Sequence, residues 1–254
     1  MFFRTESFKD FITFYPVVTV IVAVNLLLWL FSGFLEIPLF VRFVDFGVGF
    51  NLKISNGEWW RLFTPIFLHD QSSVGHVLFN SFSLVLFGPA LEQMLGKVKF
   101  MIGYVGAGVI GNIGTYLFAP DIYLHLGASG SIYGLFGFYL FMILFRQRLI
   151  DESSKQIVTV ILVIGIIMTF LRSGINIYGH LFGFLGGLLL APLLLINAKP
   201  FSPWRNERRR RDDHEYGFDP NRWSKRNQLK RKYTRYAIWA VILIILLLGL
   251  IKPF

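Results

Sequence analysis

The chain has 254 residues, 54% of them hydrophobic and only 16% charged, with 28 Phe, 24 Gly and no Cys. A soluble domain carries about 25% charged residues, and a core of this length cannot hide so much apolar surface. Disorder and a soluble two-domain enzyme are therefore excluded, and the lack of cysteine excludes disulfides, thiolate metal sites and a cysteine nucleophile. The net charge of +10 is confined between long apolar blocks, the pattern of an all-α polytopic membrane protein.

In chain order, residues 1–15 form a short N-terminus expected in the cytoplasm, and the first run near 20 apolar residues follows at 16–35. It is too long for a signal-peptide core and has no small-residue cleavage site behind it, so it is expected to stay as a helix. A loop over 36–72 carries Trp60 and Arg61. Further spans are expected at 73–94, 100–118, 127–145, 156–171 and 173–196. These six make a core over 16–196. A basic linker at 197–235 follows, with Arg at every position from 208 to 211, and leads to a seventh span inside 236–254. No repeat of fixed period is found.

Lys and Arg accumulate on cytoplasmic flanks. With these spans, 20 fall on the side of the N-terminus and linker and 5 on the other. The N-terminus is therefore expected inside the cell, the 36–72 loop and the C-terminus outside, in the cell (plasma) membrane. A basic run invites a nucleic-acid reading. Beside a membrane, and with no nucleic-acid-binding motif, attraction to anionic lipid headgroups explains it better.

Ionisable groups inside spans are costly and functional by default. Tyr aside, the spans hold His76, Glu92 and His180. Glu92 sits near the inner end of the second span, where it can cap neighbouring groups. His76 and His180 lie near the outer ends of the second and sixth spans, and Ser129 near the outer end of the fourth. At 1.5 Å per residue, all three are within about 11 Å of the outer surface. Asn80 follows His76 by one helical turn and shares its face. Each residue alone could be interhelical glue; four at one depth suggest a shared pocket.

Small residues flank Ser129 in Gly127-Ala128-Ser129-Gly130, and the helix continues through Tyr133 and Gly134. Gly130 and Gly134 form one small-residue stripe, and Gly179, Gly183 and Gly187 another beside His180. Such stripes let two helices approach closely, which would bring hydroxyl and imidazole together. Ser131 is a rival nucleophile, but it points elsewhere on the helix.

These motifs resemble those of the rhomboid family of intramembrane serine proteases: GxSGxxxG at 127–134, HxxGxxxG at 180–187, HxxxN at 76–80, and the external Trp60-Arg61. The resemblance covers the six-span core and implies a six-helix bundle, here with one extra C-terminal helix. It implies Ser129 as nucleophile, His180 as its base, His76 and Asn80 at the oxyanion, and Tyr133 packed near the base. Gly179 stands where the family often has Ala.

No Asp or Glu shares the depth of Ser129, which points to a Ser-His dyad in place of a triad. No HExxH cluster and no pair of intramembrane Asp is present, so zinc and aspartyl chemistry are not supported, and neither cofactor nor metal is expected. Transmembrane proteins are the expected substrates, entering laterally between helices. Trp60 and Arg61 are expected to anchor the loop at the headgroups. Two alternatives stay open: a catalytically inactive rhomboid-like binding or quality-control factor, and a transporter, although the polar cluster is shallow and the halves do not match.

Overall fold

The computed structural model describes residues 1–2, 6–172 and 174–204. Most of the linker and the seventh span lie outside the described residues. Residues Met1–Pro203 form one compact unit.

Helix α1 (Phe8–Phe14) starts where Ser7 accepts a hydrogen bond from the Asp10 amide, and α2 (Pro16–Trp29) starts on Pro16, whose missing N–H costs nothing there. Glu92 accepts from the amides of Val17 and Val18 at 3.0 and 2.9 Å, so a buried carboxylate caps the first turn of α2. A π turn at Leu30–Phe34 ends this helix. The 36–72 loop has more order than its sequence pattern indicated. It holds α3 (Pro38–Gly47), α4 (Asn51–Ser55) and 3-10 turns at Trp59–Leu62 and Thr64–Phe67. It also holds β1 (Gly49–Phe50), which pairs antiparallel with β2 (Leu124–His125) just before the fourth span.

The remaining elements are long helices: α5 (Val74–Leu95), α6 (Lys97–Phe118), α7 (Ser129–Phe145), α8 (Glu152–Leu171) and α9 (Ile177–Leu194). Five of the described helical segments are long and apolar enough to cross a membrane: Pro16–Phe34, α5, α6, α8 and α9. The 17 residues of α7 span about 26 Å, at the short end of a crossing helix. Apolar side chains fill the interior and also cover much of the outside. Large apolar side chains such as Val163, Ile167, Phe170 and Leu171 of α8 are exposed, while Asn25, Thr115, Ser131 and His180 are buried. That is the surface a lipid solvent selects.

Helices α6, α7 and α9 make the tightest contacts. A Cβ placed on Gly130 would lie 3.2 Å from the Gly179 carbonyl, and one on Gly183 or Gly187 would collide with the backbone of Gly130 or Gly134. With no hydrophobic drive between helices in lipid, this backbone approach supplies the dispersion contacts that hold them. Gly187→Ala should therefore destabilise by about 1 to 3 kcal/mol, as overpacking does elsewhere. Gly75→Ala, which would meet nothing within 4 Å, should leave the melting temperature unchanged. Equal melting temperatures for the two variants in one detergent would contradict the seam.

Candidate active site

Ser129 is the first residue of α7, and no side chain caps that helix, so the amides of its first turn remain free for a ligand. The turn into it depends on Gly127, whose φ of +133° suits glycine and whose amide donates to the Pro65 carbonyl at 2.9 Å. A Cβ at Gly127 would sit 2.8 Å from His76 Nε2 and 3.7 Å from Ser129 Oγ. The serine hydroxyl and the His76 ring thus border the same small space, which only a glycine leaves open.

His76 and Asn80 occupy the first two turns of α5, after Ser73 caps the helix. The Asp70 amide donates to His76 Nδ1 at 3.4 Å, so the ring proton belongs on Nε2, the atom beside Gly127 and Ser129. Asn80 Nδ2 donates one proton to the His76 carbonyl at 2.9 Å, leaving the second.

His180 lies in the first turn of α9, whose cap is Asn176, accepting from the Gly179 amide at 2.9 Å. The ring is buried. Tyr133 stacks on it with centroids 4.1 Å apart and planes 17° from parallel, and Thr169 of α8 meets Nδ1 at 2.9 Å. Gly130 and Gly179, the neighbours of Ser129 and His180, touch across the α7–α9 seam. The Ser129 hydroxyl makes no hydrogen bond to His180 here; such bonds often tighten only around substrate. Ser131 is fully buried beside Gly108, facing away from this space.

The sequence did not single out Thr169. A threonine in an apolar run reads as an ordinary helix residue bonding back one turn, which it also does, at 2.8 Å to the Gly165 carbonyl. Its depth was the available signal: α8 ends where α9 begins.

Arg61 differs from expectation. It does not reach toward headgroups but is 1% exposed, donating to the carbonyls of Asp45 and Val48 at 3.1 and 2.6 Å and pairing with Glu58 at 2.6 Å. A guanidinium fork suits carbonyls at a helix end that have no other donor, so Arg61 stitches the loop from within. Trp60 stacks on Phe46 at 4.9 Å and donates to its carbonyl at 3.0 Å.

The Rhomboid domain family model matches residues 56–197, which contain every residue of this cluster. The chain belongs to the rhomboid family. It is 52% identical over 191 residues to YdcA of Bacillus subtilis (strain 168), which bears a provisional rhomboid-protease name, covering 75% of this chain and 94% of that protein. It is 37% identical over 151 residues to the rhomboid protease GluP of the same organism, covering 59% and 29%. To RHOMBOID-like protein 1 of Arabidopsis thaliana it is 30% identical over 206 residues, covering 78% and 48%. Against the last two the chain spans less than half of the relative's length. Family and apolar helices together make this rhomboid a multi-pass integral membrane protein of a kind that cleaves peptide bonds within membranes.

Two histidines outside the crossing helices give the rhomboid a pH dependence. Burial, with neighbouring His76 adding to it, holds the His69 imidazole down at about 3, and burial alone holds His125 down at about 4. Unfolded, each returns to about 6.5. Between these values the unfolded chain binds more protons, so stability should fall as pH drops from 6.5 toward 4. The slope is at most about 1.4 kcal/mol per pH unit for each histidine. Melting temperatures measured from pH 7.5 to 5 should decline, and less steeply in His125→Phe. A flat profile would mean that folding leaves the titration of both rings unshifted.

Proposed function

We propose that this rhomboid is a serine endopeptidase in which Ser129 is the nucleophile and His180 its base, acting on transmembrane substrates near the outer membrane surface. The observation that carries the reading is the convergence of Ser129, His76 and His180 from three helices on one end of the bundle, with Gly127 open beside His76 and Ser129 and Gly130 allowing α7 to lie against Gly179.

The chemistry follows from the atoms available. Ser129 Oγ attacks the scissile carbonyl carbon while its proton passes to His180 Nε2. The oxygen that gains charge can be met by His76 Nε2–H, the second Asn80 amide proton and the uncapped Ser129 amide. The tetrahedral adduct collapses as the C–N bond breaks, and His180 returns its proton to the leaving amine. Water, deprotonated by the same base, then cleaves the acyl-Ser129 ester. No carboxylate takes part, in keeping with a dyad. Gly183 and Gly187 keep α9 against α7, Tyr133 supports the base, and Trp60 and Arg61 brace the loop over the site. The core is read as residues 16–196, with the linker at 197–235 meeting anionic lipid and the seventh helix following.

A fluorophosphonate should label wild-type protein at Ser129. Ser129→Ala and His180→Ala should each abolish labelling or cleavage with the fold intact, whereas His76→Ala and Asn80→Ala should slow turnover by about 100- to 1000-fold, the usual worth of one oxyanion donor. An inactive binding factor would show no labelling at all. Losses confined to melting temperature would make His76 and Asn80 helix glue.

We propose further that the N-terminus is cytoplasmic and the C-terminus external, on the charge asymmetry of 20 against 5. Because the chain has no cysteine, one placed at Asn56 should react with an impermeant reagent in intact cells and one at Asn227 should not. The reverse result would put the active end on the cytoplasmic side.

A further inference from the structure

Thr169 Oγ1 is buried between three helices and has three polar neighbours. They are the Gly165 carbonyl of its own helix at 2.8 Å, the Tyr133 hydroxyl of α7 at 2.7 Å and His180 Nδ1 of α9 at 2.9 Å. A threonine hydroxyl has one proton to give and two lone pairs to receive. A carbonyl can only accept, so the proton of Thr169 belongs to Gly165. The two lone pairs then require donors, and both remaining partners can supply them: the Tyr133 O–H and an Nδ1–H on His180. Turning the threonine proton toward Nδ1 instead would leave two bare oxygens facing each other at 2.8 Å. One arrangement satisfies all four groups, and it places the imidazole proton on Nδ1.

From this we infer that Thr169 is a positioning residue that fixes His180 as the Nδ1–H tautomer, leaving the Nε2 lone pair free to take the proton of Ser129. The inference rests on the proposed roles of Ser129 and His180. Thr169 does what a carboxylate does in a three-residue triad, selecting the tautomer and aiming the ring, but without charge. The depth explains the choice. A carboxylate buried there would carry a large desolvation cost or take up a proton, whereas a hydroxyl already donating to its own helix is accommodated without either. Tyr133 completes the grip, its ring flat against His180 and its hydroxyl on Thr169, so the imidazole is held by face and edge together. Gly165 makes room for it: a Cβ there would meet the Tyr133 hydroxyl oxygen at 2.9 Å.

Thr169→Val keeps the shape and removes the hydroxyl, whereas Thr169→Ser keeps the hydroxyl. On the full chain in detergent, Thr169→Val should lower kcat per folded molecule by about 10- to 100-fold, as losing the partner behind a metal-bound imidazole does elsewhere, with KM unchanged. Its melting temperature should fall, because the Tyr133 hydroxyl and His180 Nδ1–H lose their acceptor. Thr169→Ser should restore most of the turnover. Nitrogen-15 spectra of histidine-labelled protein in mildly alkaline buffer, with His180 assigned through His180→Gln, should show a protonated Nδ1 and a bare Nε2 in wild type, and a mixture in Thr169→Val. Wild-type turnover in Thr169→Val, equal losses in the Val and Ser variants, or a protonated Nε2 in the wild-type spectrum would each overturn the inference. Should Thr169→Val fail to fold, the Ser variant and the wild-type spectrum still decide. Cleavage surviving in Ser129→Ala would instead bring down the protease reading, while the spectrum would still report which nitrogen carries the proton.

Discussion

Close backbone contact between α7 and α9 is the constraint from which the rest of the site follows. Lipid tails are as apolar as leucine, so these helices gain nothing by hiding side chains from their solvent and must hold together by fitting closely. Glycine at 130, 134, 183 and 187 lets one backbone lie against the other, and this contact carries the two residues proposed to react, since Ser129 adjoins Gly130 and His180 adjoins Gly179. The seam that stabilises the bundle and the spacing that assembles the site are one feature. A larger residue would disturb both.

A second regularity is where the buried polar groups lie. Several buried or half-buried side chains satisfy the ends of helices. Glu92 caps α2, Asn176 caps α9, and Asn51 donates to the carbonyls of Thr115, Ala119 and Pro120 at the end of α6. Arg61 does the same for the end of α3. In a solvent that offers no hydrogen bonds, the terminal amides and carbonyls of each helix need a partner from the protein. The first turn of α7, like those of α3 and α6, has no side-chain cap, and in α7 that turn begins with Ser129.

This logic also explains what the sequence could and could not reveal. The spans were legible because a membrane imposes length and hydropathy on a continuous run. Ser129, His76, Asn80 and His180 stood out because polar residues are rare in such runs, and their depths could be compared. The order within residues 36–72 was not legible: a two-residue strand has no period, and α4 is a single short turn. Arg61 was misjudged because a charge in an external loop looks solvated until the carbonyls around it are known. Thr169 was missed for the opposite reason, since a hydroxyl in a helix already has a partner one turn back and so raises no question about its other contacts.

In the proposed mechanism the two histidines face opposite demands, and neutral neighbours meet both. A donor to a developing oxyanion must carry its proton on the nitrogen nearest the serine, whereas a base must have that nitrogen bare. His76 receives a proton from the Asp70 amide on Nδ1, which leaves Nε2–H toward Gly127 and Ser129. His180, gripped at Nδ1 by Thr169, is left with the converse arrangement. Charged partners could impose the same choices in water. At this depth a lone carboxylate would be costly, and a nearby cation would make the proton on His180 harder to hold during catalysis. A backbone amide and a threonine hydroxyl, each fixed by its own secondary structure, direct the two rings oppositely without placing a permanent charge in the bilayer.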